Sequence, residues 1–225
     1  WELLVIVKAL RDRGMLSVGK RGLGFGVGTE PLPSLFAQHG CEIVATDLDT
    51  SDKRSQAWTN GNQLLTHLSS LNDRGICPPD DLVRLVSHRA VDMNRIPADL
   101  RGFDFTWSSC AFEHLGSIEN GLNFYLNQME TLKPGGWAVH TTEYNVVSNH
   151  DTVDNASTVL FRRKDMDELF SELKKRGYRP EAIDYQAGDL PLDYYVDVAP
   201  YSGDNHLKVR LESFVTTSIV VICQK

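Results

Sequence analysis

Cysteine is scarce in this chain: its 225 residues include four, and no two of them form a C-x-x-C pair. Cys41 and Cys223 lie within apolar runs, so we expect them to be small buried hydrophobic residues. Unpaired cysteines of this kind are typical of a reducing compartment, and we expect a cytoplasmic location.

Long apolar runs and positive charge are lacking as well. No apolar run reaches the roughly 20 residues of a membrane span, and no signal peptide is visible. With 23 basic against 30 acidic residues, the formal net charge is −7 and the pI is about 5.5. This charge argues against a nucleic-acid or anionic-membrane partner, so we expect no nucleic acid and no membrane span.

The length and the order of predicted elements indicate the fold class. The chain favours one domain, 1–225, and its start at Trp1 suggests a piece cut from a longer polypeptide. Strands alternate with helices, which predicts an α/β fold with a doubly wound, mostly parallel sheet covered on both faces. The predicted strands lie near 21–26, 42–47, 86–91, 103–108, 137–142, 180–185 and 214–223, and the predicted helices cover 2–13, the segment up to about 39, 80–85, 118–132 and 165–176.

A glycine-rich turn follows the first predicted strand. Gly24, Gly26 and Gly28 precede a helix, and the next strand ends in Asp47. Such a turn exposes backbone amides to a ligand, and an acid at the tip of the next strand accepts hydrogen bonds from the hydroxyls of a ribose. The unit therefore predicts a site for a nucleoside cofactor.

The residues around the turn narrow the choice of cofactor. The spacing is G-x-G-x-G, not the G-x-G-x-x-G of dinucleotide folds, and no Lys-Ser/Thr pair follows, which excludes a Walker phosphate loop. Lys20 and Arg21 precede the turn, and no further Lys or Arg occurs before Lys53. A pyrophosphate needs more positive charge than this, whereas a cationic sulfonium with an amino-acid tail does not.

Polar residues also follow the third and fourth strands, at the sheet edge where ligands bind in such folds. Asp92 and Met93 offer an acceptor for an adenine amino group and an apolar wall for its ring. Asp92 also suits a helix N-cap or a turn, but in register with Asp47 we favour the adenine role. Ser108 and Ser109 end the fourth strand at the same edge.

Six segments together point to one family. They are GFGVGT (24–29), VATD (44–47), VDM (91–93), FDFTWSS (103–109), EHL (113–115) and LKPGG (132–136). With them, the chain resembles a class I S-adenosylmethionine-dependent methyltransferase over roughly residues 15–225. The resemblance implies a Rossmann-like sheet of seven strands whose last strand, 214–223, is antiparallel. It also implies S-adenosylmethionine as cofactor, held by Gly24, Gly26, Gly28, Glu30, Asp47, Asp92, Met93, Ser108 and Ser109.

Two residues depart from the family pattern. Members often carry an acid at the position of Gly24, where it orders the loop around the methionine moiety, and many have a further glycine in place of Glu30. Glu30 either binds the amino group of the cofactor or caps the following helix as an acid in its first turn.

Further segments narrow the resemblance. FDFTWSSCAFEHLG (103–116), HTTEYN (140–145), VLFRR (159–163) and YVDVAPY (195–201) resemble bacterial methyltransferases found beside, or fused to, glycosyltransferases of surface-polysaccharide synthesis. This implies O-methylation of a sugar or glycan, with a glycosyltransferase as neighbour or fusion partner. The alternatives are a methyltransferase acting on another small molecule, such as a quinone or polyketide, and a non-catalytic scaffold.

Transfer to a sugar hydroxyl needs a base or a metal, because the hydroxyl is a poor nucleophile. His114 and Glu143, after the fourth and fifth strands, are the candidate catalytic residues, and His114 also suits a structural role. Glu113-His114 resembles part of the metal-binding segment of ubiquinone-pathway O-methyltransferases, but the acid that precedes it there is missing, so we assign no metal ligand. We expect His140 to be a buried core histidine.

Two insertions, near 51–80 and 186–208, are the candidate acceptor-binding segments. Their aromatic side chains suit a sugar ring and equally suit loop packing. Outside the insertions, Arg162 precedes a predicted helix, where it either binds a phosphate or carboxylate of the acceptor or is only a surface charge. The candidate acceptor-binding residues are Trp58, Arg162, Tyr195 and Tyr201.

Overall fold

The computed structural model describes residues 1–55, 61, 63–186, 188–203 and 205–225. Over these residues the chain forms one eight-stranded sheet with helices packed against it. The strands are β1 (Arg21–Phe25), β2 (Glu42–Asp47), β3 (Val86–Ala90), β4 (Phe103–Ser108), β5 (Leu132–Asn145), β6 (Arg179–Pro180), β7 (Val209–Leu211) and β8 (Phe214–Gln224). The α-helices are α1 (Glu2–Asp12), α2 (Leu32–Gln38), α3 (Pro79–Leu85), α4 (Ile118–Gln128), α5 (Arg163–Lys175) and α6 (Pro191–Tyr194).

The strand order confirms the predicted fold class. Neighbours follow the order β3-β2-β1-β4-β5-β8-β6, with β7 paired to β8. β3, β2, β1, β4 and β5 are parallel, and β8 is antiparallel to β5, β6 and β7. The order reverses beside β1, and in open sheets this reversal leaves a crevice at the carboxyl ends of the strands.

Two hydrophobic clusters cover the two faces of the sheet. Ile6 and Leu10 of α1, Phe36 of α2 and Leu82 of α3 belong to one cluster. Phe124 and Tyr125 of α4 and Met166, Leu169 and Leu173 of α5 belong to the other. Burial on both faces explains the run Ile43-Val44-Ala45 in β2, whereas β4 alternates aromatic residues with Asp104, Thr106 and Ser108.

The longest strand differs from its predicted bounds. β5 covers Leu132–Asn145, whereas the sequence predicted a turn at 134–136 and a strand over 137–142. Gly135 adopts a φ of +80°, so it bends the chain, and its N–H donates to the carbonyl of Lys225. From Trp137 to Asn145, β8 pairs with every residue of β5, and this pairing extends the strand.

The segment predicted as a strand over 180–185 is mostly irregular. Arg179–Pro180 pairs with β8, and one further backbone bond, from the N–H of Glu181 to the carbonyl of Ile222, follows before the segment leaves the sheet. All four cysteines are free, and Cys41 and Cys223 are fully buried, as predicted. Within the described part of the chain, no helix combines the length and the apolar character needed to cross a membrane.

Candidate functional site

A cavity of about 1040 Å³ lies at the carboxyl ends of β1 to β4. It is at the upper end of the range of roughly 300–1,000 Å³ that is usual for small-molecule sites, which leaves room for two ligands side by side. Eight residues that the sequence proposed for the site line it: Gly26, Gly28, Glu30, Asp47, Asp92, Met93, Ser109 and His114. Most of the proposed cofactor residues and one proposed base, His114, therefore line the same cavity.

The glycine turn requires glycine for reasons of space and backbone angle. Gly26 and Gly28 have φ values of +57° and +51°, which side chains rarely tolerate. A Cβ at Gly26 would lie 3.0 Å from Cβ of Ala111, and one at Gly28 would lie 2.3 Å from the carbonyl oxygen of Gln63. The turn thus keeps bare backbone at the cavity wall.

Asp47 is fixed at the tip of β2 by three backbone amides. Its Oδ2 accepts from Gly28 at 3.0 Å and from Leu65 at 3.1 Å, and its Oδ1 accepts from Leu48 at 2.8 Å. Burial raises the pKa of Asp47, and the three amides oppose that effect. A carboxylate has about four acceptor positions, so a ligand hydroxyl can still bind to an oxygen that is already oriented.

Asp92 makes the N-cap contact that its sequence position also suggested. Its Oδ1 accepts from the N–H of Asn94 at 2.9 Å, at the start of a short 3₁₀ turn. Its Oδ2 accepts from Nη2 of Arg54 at 2.8 Å. Met93 lines the cavity next to it. These two bonds do not use the whole carboxylate, so Asp92 keeps acceptor capacity for a ligand.

Trp107 occupies the space that a side chain at position 24 would need. A Cβ at Gly24 would lie 2.4 Å from Cζ2 of the Trp107 ring, so an acid at this position, which the family often carries, has no room here. The same indole donates from Nε1 to Oε1 of Glu30 at 2.7 Å. Glu30 is therefore bonded to the strand below it and does not cap the helix through its side chain. An acid reaches the cavity from position 30 in place of position 24.

Glu30 is also the cavity acid with the most displaced pKa. Burial raises its pKa to about 8, the indole of Trp107 lowers it, and the charge of Asp47 raises it further. A cationic ligand would favour the ionised form of this carboxyl, because an adjacent positive charge lowers the pKa of an acid. The arrangement suits the amino group or the sulfonium of a ligand and disfavours an anion.

Ser108 lies away from the cavity, unlike Ser109. Its hydroxyl is fully buried and lies 2.7 Å from Nδ1 of His140. His140 is fully buried as predicted, and burial lowers its pKa to about 3. Ser108 and His140 satisfy each other inside the sheet, so Ser108 is not placed to touch a ligand in the cavity.

His114 combines a structural contact with a place in the cavity wall. Its Nδ1 lies 2.9 Å from the carbonyl oxygen of Ser157, which only accepts, so Nδ1 carries the proton in the neutral ring. The basic lone pair is then on Nε2. Burial lowers the pKa of His114, and the bond to Ser157 opposes this effect. The ring is therefore neutral at pH 7, as a general base must be.

Glu143 is half-buried beside the cavity and is not one of its lining residues. Its Oε2 accepts from Thr216 Oγ1 at 2.5 Å, and burial raises its pKa while that bond opposes the rise. The acids nearest to it are Glu2 and Glu113. Glu143 therefore belongs to a buried acidic group next to the cavity.

The three proposed acceptor residues that the structure describes, Arg162, Tyr195 and Tyr201, do not line the cavity. Arg162 pairs with Asp165 at the start of α5, with Nε at 2.8 Å from Oδ2. The hydroxyl of Tyr201 donates to the carbonyl of Arg210, and Tyr195 is bonded weakly to Asp197 at 3.4 Å. Trp58 lies outside the described residues. Of the insertion near 51–80, four residues do line the cavity: Arg54, Gln63, Leu64 and Arg74.

Some residues of the site were missed from the sequence. Cys110 lines the cavity with a φ of +44°, and Glu113 is fully buried next to it. From the sequence, Cys110 was noted only within the segment 103–116, and Glu113 only within the family segments and the Glu113-His114 resemblance to a metal-binding segment. A charged residue inside an apolar stretch, as in Ala111-Phe112-Glu113, is the signal that would have selected Glu113.

Three solved structures show the likeness of this fold to known proteins. An S-adenosylmethionine-dependent methyltransferase from Mesorhizobium loti matches with a TM-score of 0.59 and 13% identity, over 97% of this chain and 96% of that one. One from Clostridium acetobutylicum matches with a TM-score of 0.54 and 13% identity, over 99% and 89%. Phosphoethanolamine N-methyltransferase 2 from Haemonchus contortus, in complex with S-adenosyl-L-methionine, matches with a TM-score of 0.52 and 19% identity, over 79% and 37%.

The comparisons establish the fold. This chain spans little more than a third of the Haemonchus protein and 62% of a further structure, from Galdieria sulphuraria. No protein-family model matches the sequence, and no curated protein matches it significantly. The chain has the Rossmann-like methyltransferase fold, and its function must be argued from the site.

Proposed function

We propose that the protein is an S-adenosylmethionine-dependent methyltransferase that methylates a hydroxyl of a small acceptor. The observation that carries the proposal is the cavity itself. One wall presents a bare glycine turn, an oriented carboxylate at Asp47 and an acid at Glu30, and Met93 adds an apolar surface. These are the groups that a ribose, a positively charged amino-acid tail and an adenine ring require.

The residues of the cavity fit the cofactor part by part. Asp47 is held by three amides and keeps acceptor capacity for a ribose hydroxyl. Glu30 supplies a carboxyl close to the turn, where Gly24 cannot, and a bound cation would favour its ionised form. We assign Asp92 and Met93, which line the same cavity, to the adenine. When bound, the cofactor supplies an electrophilic methyl carbon on a sulfonium, and the chain has only to orient an acceptor and remove its proton.

His114 is the residue best placed to take that proton. It lines the cavity from the segment that follows β4, whereas the glycine turn follows β1. The carbonyl of Ser157 fixes its tautomer, and its lowered pKa keeps the ring neutral. General bases of this kind contribute roughly 10²- to 10⁴-fold to a rate. Glu143 would act on the acceptor only if an acceptor reached past the lining residues.

A sugar or glycan is the acceptor that we propose first, with a glycosyltransferase as its neighbour in the same biosynthesis. The support is the resemblance of the segments 103–116, 140–145, 159–163 and 195–201 to methyltransferases found beside such enzymes. The size of the cavity is compatible with a ring placed next to the cofactor.

The test is calorimetric titration of the protein with S-adenosylmethionine and with S-adenosylhomocysteine, followed by transfer of a labelled methyl group to a panel of sugars and quinols. Micromolar binding of either ligand supports the cofactor, and label in a sugar product supports the acceptor. Absence of binding to both ligands contradicts the proposal and favours a scaffold. Label in quinols alone overturns only the sugar.

A further inference from the structure

Three potential metal ligands meet beside the cavity. Sγ of Cys110 and one carboxylate oxygen each of Glu113 and Glu143 all lie within 4.8 Å of one another. They come from the end of β4, the short turn after it and the distal part of β5. Cys110 also lines the cavity, so the group opens towards the ligand side.

One oxygen of this group makes no hydrogen bond, and the neighbour that interacts with the Glu113 carboxyl across the group is the thiol of Cys110. Glu113 has no exposed surface, and its Oε1 is the only buried side-chain nitrogen or oxygen in the described residues without a hydrogen bond. Burying a carboxylate oxygen without a hydrogen-bond donor costs on the order of several kcal/mol of folding free energy. Proteins therefore avoid such an oxygen unless a ligand satisfies it. The unpartnered oxygen therefore indicates an occupant.

The other oxygens of the two glutamates are held in place. Thr142 Oγ1 donates to Oε2 of Glu113 at 3.0 Å, and Thr216 Oγ1 donates to Oε2 of Glu143 at 2.5 Å. Metal-binding carboxylates are commonly oriented in this way, with the second oxygen bonded to a neighbouring side chain.

Ser218 cannot satisfy the remaining oxygen of Glu143. Its hydroxyl carries a single proton and lies 2.8 Å from Oε1 of Glu2 but 3.5 Å from Oε1 of Glu143. The shorter contact with Glu2 takes the proton, and 3.5 Å is at the limit of a hydrogen bond. Both glutamates thus have one fixed oxygen and one that is poorly satisfied.

We propose that Cys110, Glu113 and Glu143 form a binding site for a divalent cation of the zinc class. A thiolate with two carboxylates is a ligand set that Zn²⁺ accepts, and three protein ligands leave a fourth position for a small ligand from the cavity. Tetrahedral bonds of 2.0–2.3 Å place ligand atoms roughly 3.5 Å apart, so atoms that now lie within 4.8 Å of one another need to close by at most about 1.3 Å. The site requires neither the cofactor nor the proposed methyl transfer.

The test uses the full chain, stripped of metal by a chelator that is then removed. Co²⁺ is titrated while absorbance is recorded, and Zn²⁺ is titrated by calorimetry in the absence of S-adenosylmethionine. We expect one Co²⁺ per chain with a thiolate charge-transfer band in the near ultraviolet, and displacement of that band by Zn²⁺. Cys110→Ser should abolish the band, and Glu113→Gln should weaken Zn²⁺ binding by roughly 100-fold.

Glu168→Gln is the matched control, because Glu168 is exposed and lies on α5 away from the group. Circular dichroism shows whether each variant is folded. Failure of both metals to bind overturns the proposal. Binding that survives unchanged in Cys110→Ser and Glu113→Gln also overturns it, since the metal would then lie elsewhere. Either result leaves the proposed methyl transfer untouched, because cofactor binding is measured separately.

Discussion

The indole of Trp107 donates a hydrogen bond to the carboxyl of Glu30 at 2.7 Å and fills the space beside Gly24. One ring therefore accounts for both departures from the family pattern. It prevents an acid at position 24 and orients an acid at position 30. The carboxyl nearest to the turn is therefore that of Glu30, just before the next helix, and not one on the strand.

Binding of S-adenosylmethionine should depend on pH through Glu30. The pKa of Glu30 is raised to about 8, so the carboxyl is mostly protonated at pH 7. A cation binds its ionised form, so binding releases a proton below pH 8 and affinity rises by up to roughly tenfold per pH unit from pH 6 to 8. Calorimetry in buffers of different ionisation heat counts the proton. Glu30→Gln should bind more weakly and lack this dependence; a slope that persists in the variant would contradict the role of Glu30.

Asp47→Ala should weaken cofactor binding. The change removes a carboxylate from the ribose and also frees the amides of Gly28, Leu48 and Leu65, at a cost on the order of 2 kcal/mol or more, or roughly 30-fold in affinity. Asp49→Ala is the control, because Asp49 is exposed and bonds only locally to Ser51. Equal affinities in the two folded variants would show that the cofactor lies elsewhere.

His114→Asn should slow methyl transfer and leave cofactor affinity unchanged. The asparagine amide can keep the hydrogen bond to the carbonyl of Ser157, but it has no basic nitrogen, so the loss should be roughly 10²- to 10⁴-fold in kcat. In the wild-type protein kcat, measured at saturating cofactor, should be flat above pH 7, since the pKa of His114 is lowered. His150→Asn, at an exposed histidine, is the control. An active His114→Asn variant would leave only the structural role.

Ser108→Ala should change folding stability, whereas Ser109→Ala should change cofactor affinity. Ser108→Ala leaves a buried nitrogen of His140 without its partner and should cost about 1–3 kcal/mol of folding free energy with no change in cofactor affinity. Ser109 lines the cavity, so its replacement should change affinity and leave stability nearly unaltered. Chemical denaturation and calorimetry on both variants separate the two effects. Reduced affinity in Ser108→Ala at unchanged stability would restore Ser108 to the cofactor site.

The cofactor end of the site was accessible from the sequence because its signals are local. Gly26, Gly28 and Asp47 are recognised by their spacing around strand ends, and topology brings strand ends together. Ser108 was misplaced because successive side chains of a strand point to opposite faces, and the sequence did not say which one faced the cavity. Arg162 is a different case, because its side chain pairs with Asp165, three residues further on in the helix, and is not directed to the cavity.

The cluster of Cys110, Glu113 and Glu143 could not be foreseen in the same way. It depends on where β5 lies beside the turn after β4 and on which β8 residues face it. Pairing of Glu143 with Ser218 and of Asn145 with Thr216 is a matter of register between strands that are distant in sequence. A shift of one residue would turn both hydroxyls to the other face.

The hydrogen bond from Ser218 to Glu2 joins residues 216 positions apart. The acidic cluster therefore depends on contacts between the two ends of the chain, whereas Gly28 and Asp47 at the glycine end are only 19 positions apart. Closing such a long loop costs more chain entropy than a local contact, and parts of one protein can open with different free energies. Hydrogen exchange should thus find the two ends of the cavity in different cooperative units, with the acidic end exchanging through partial openings that leave the glycine end closed.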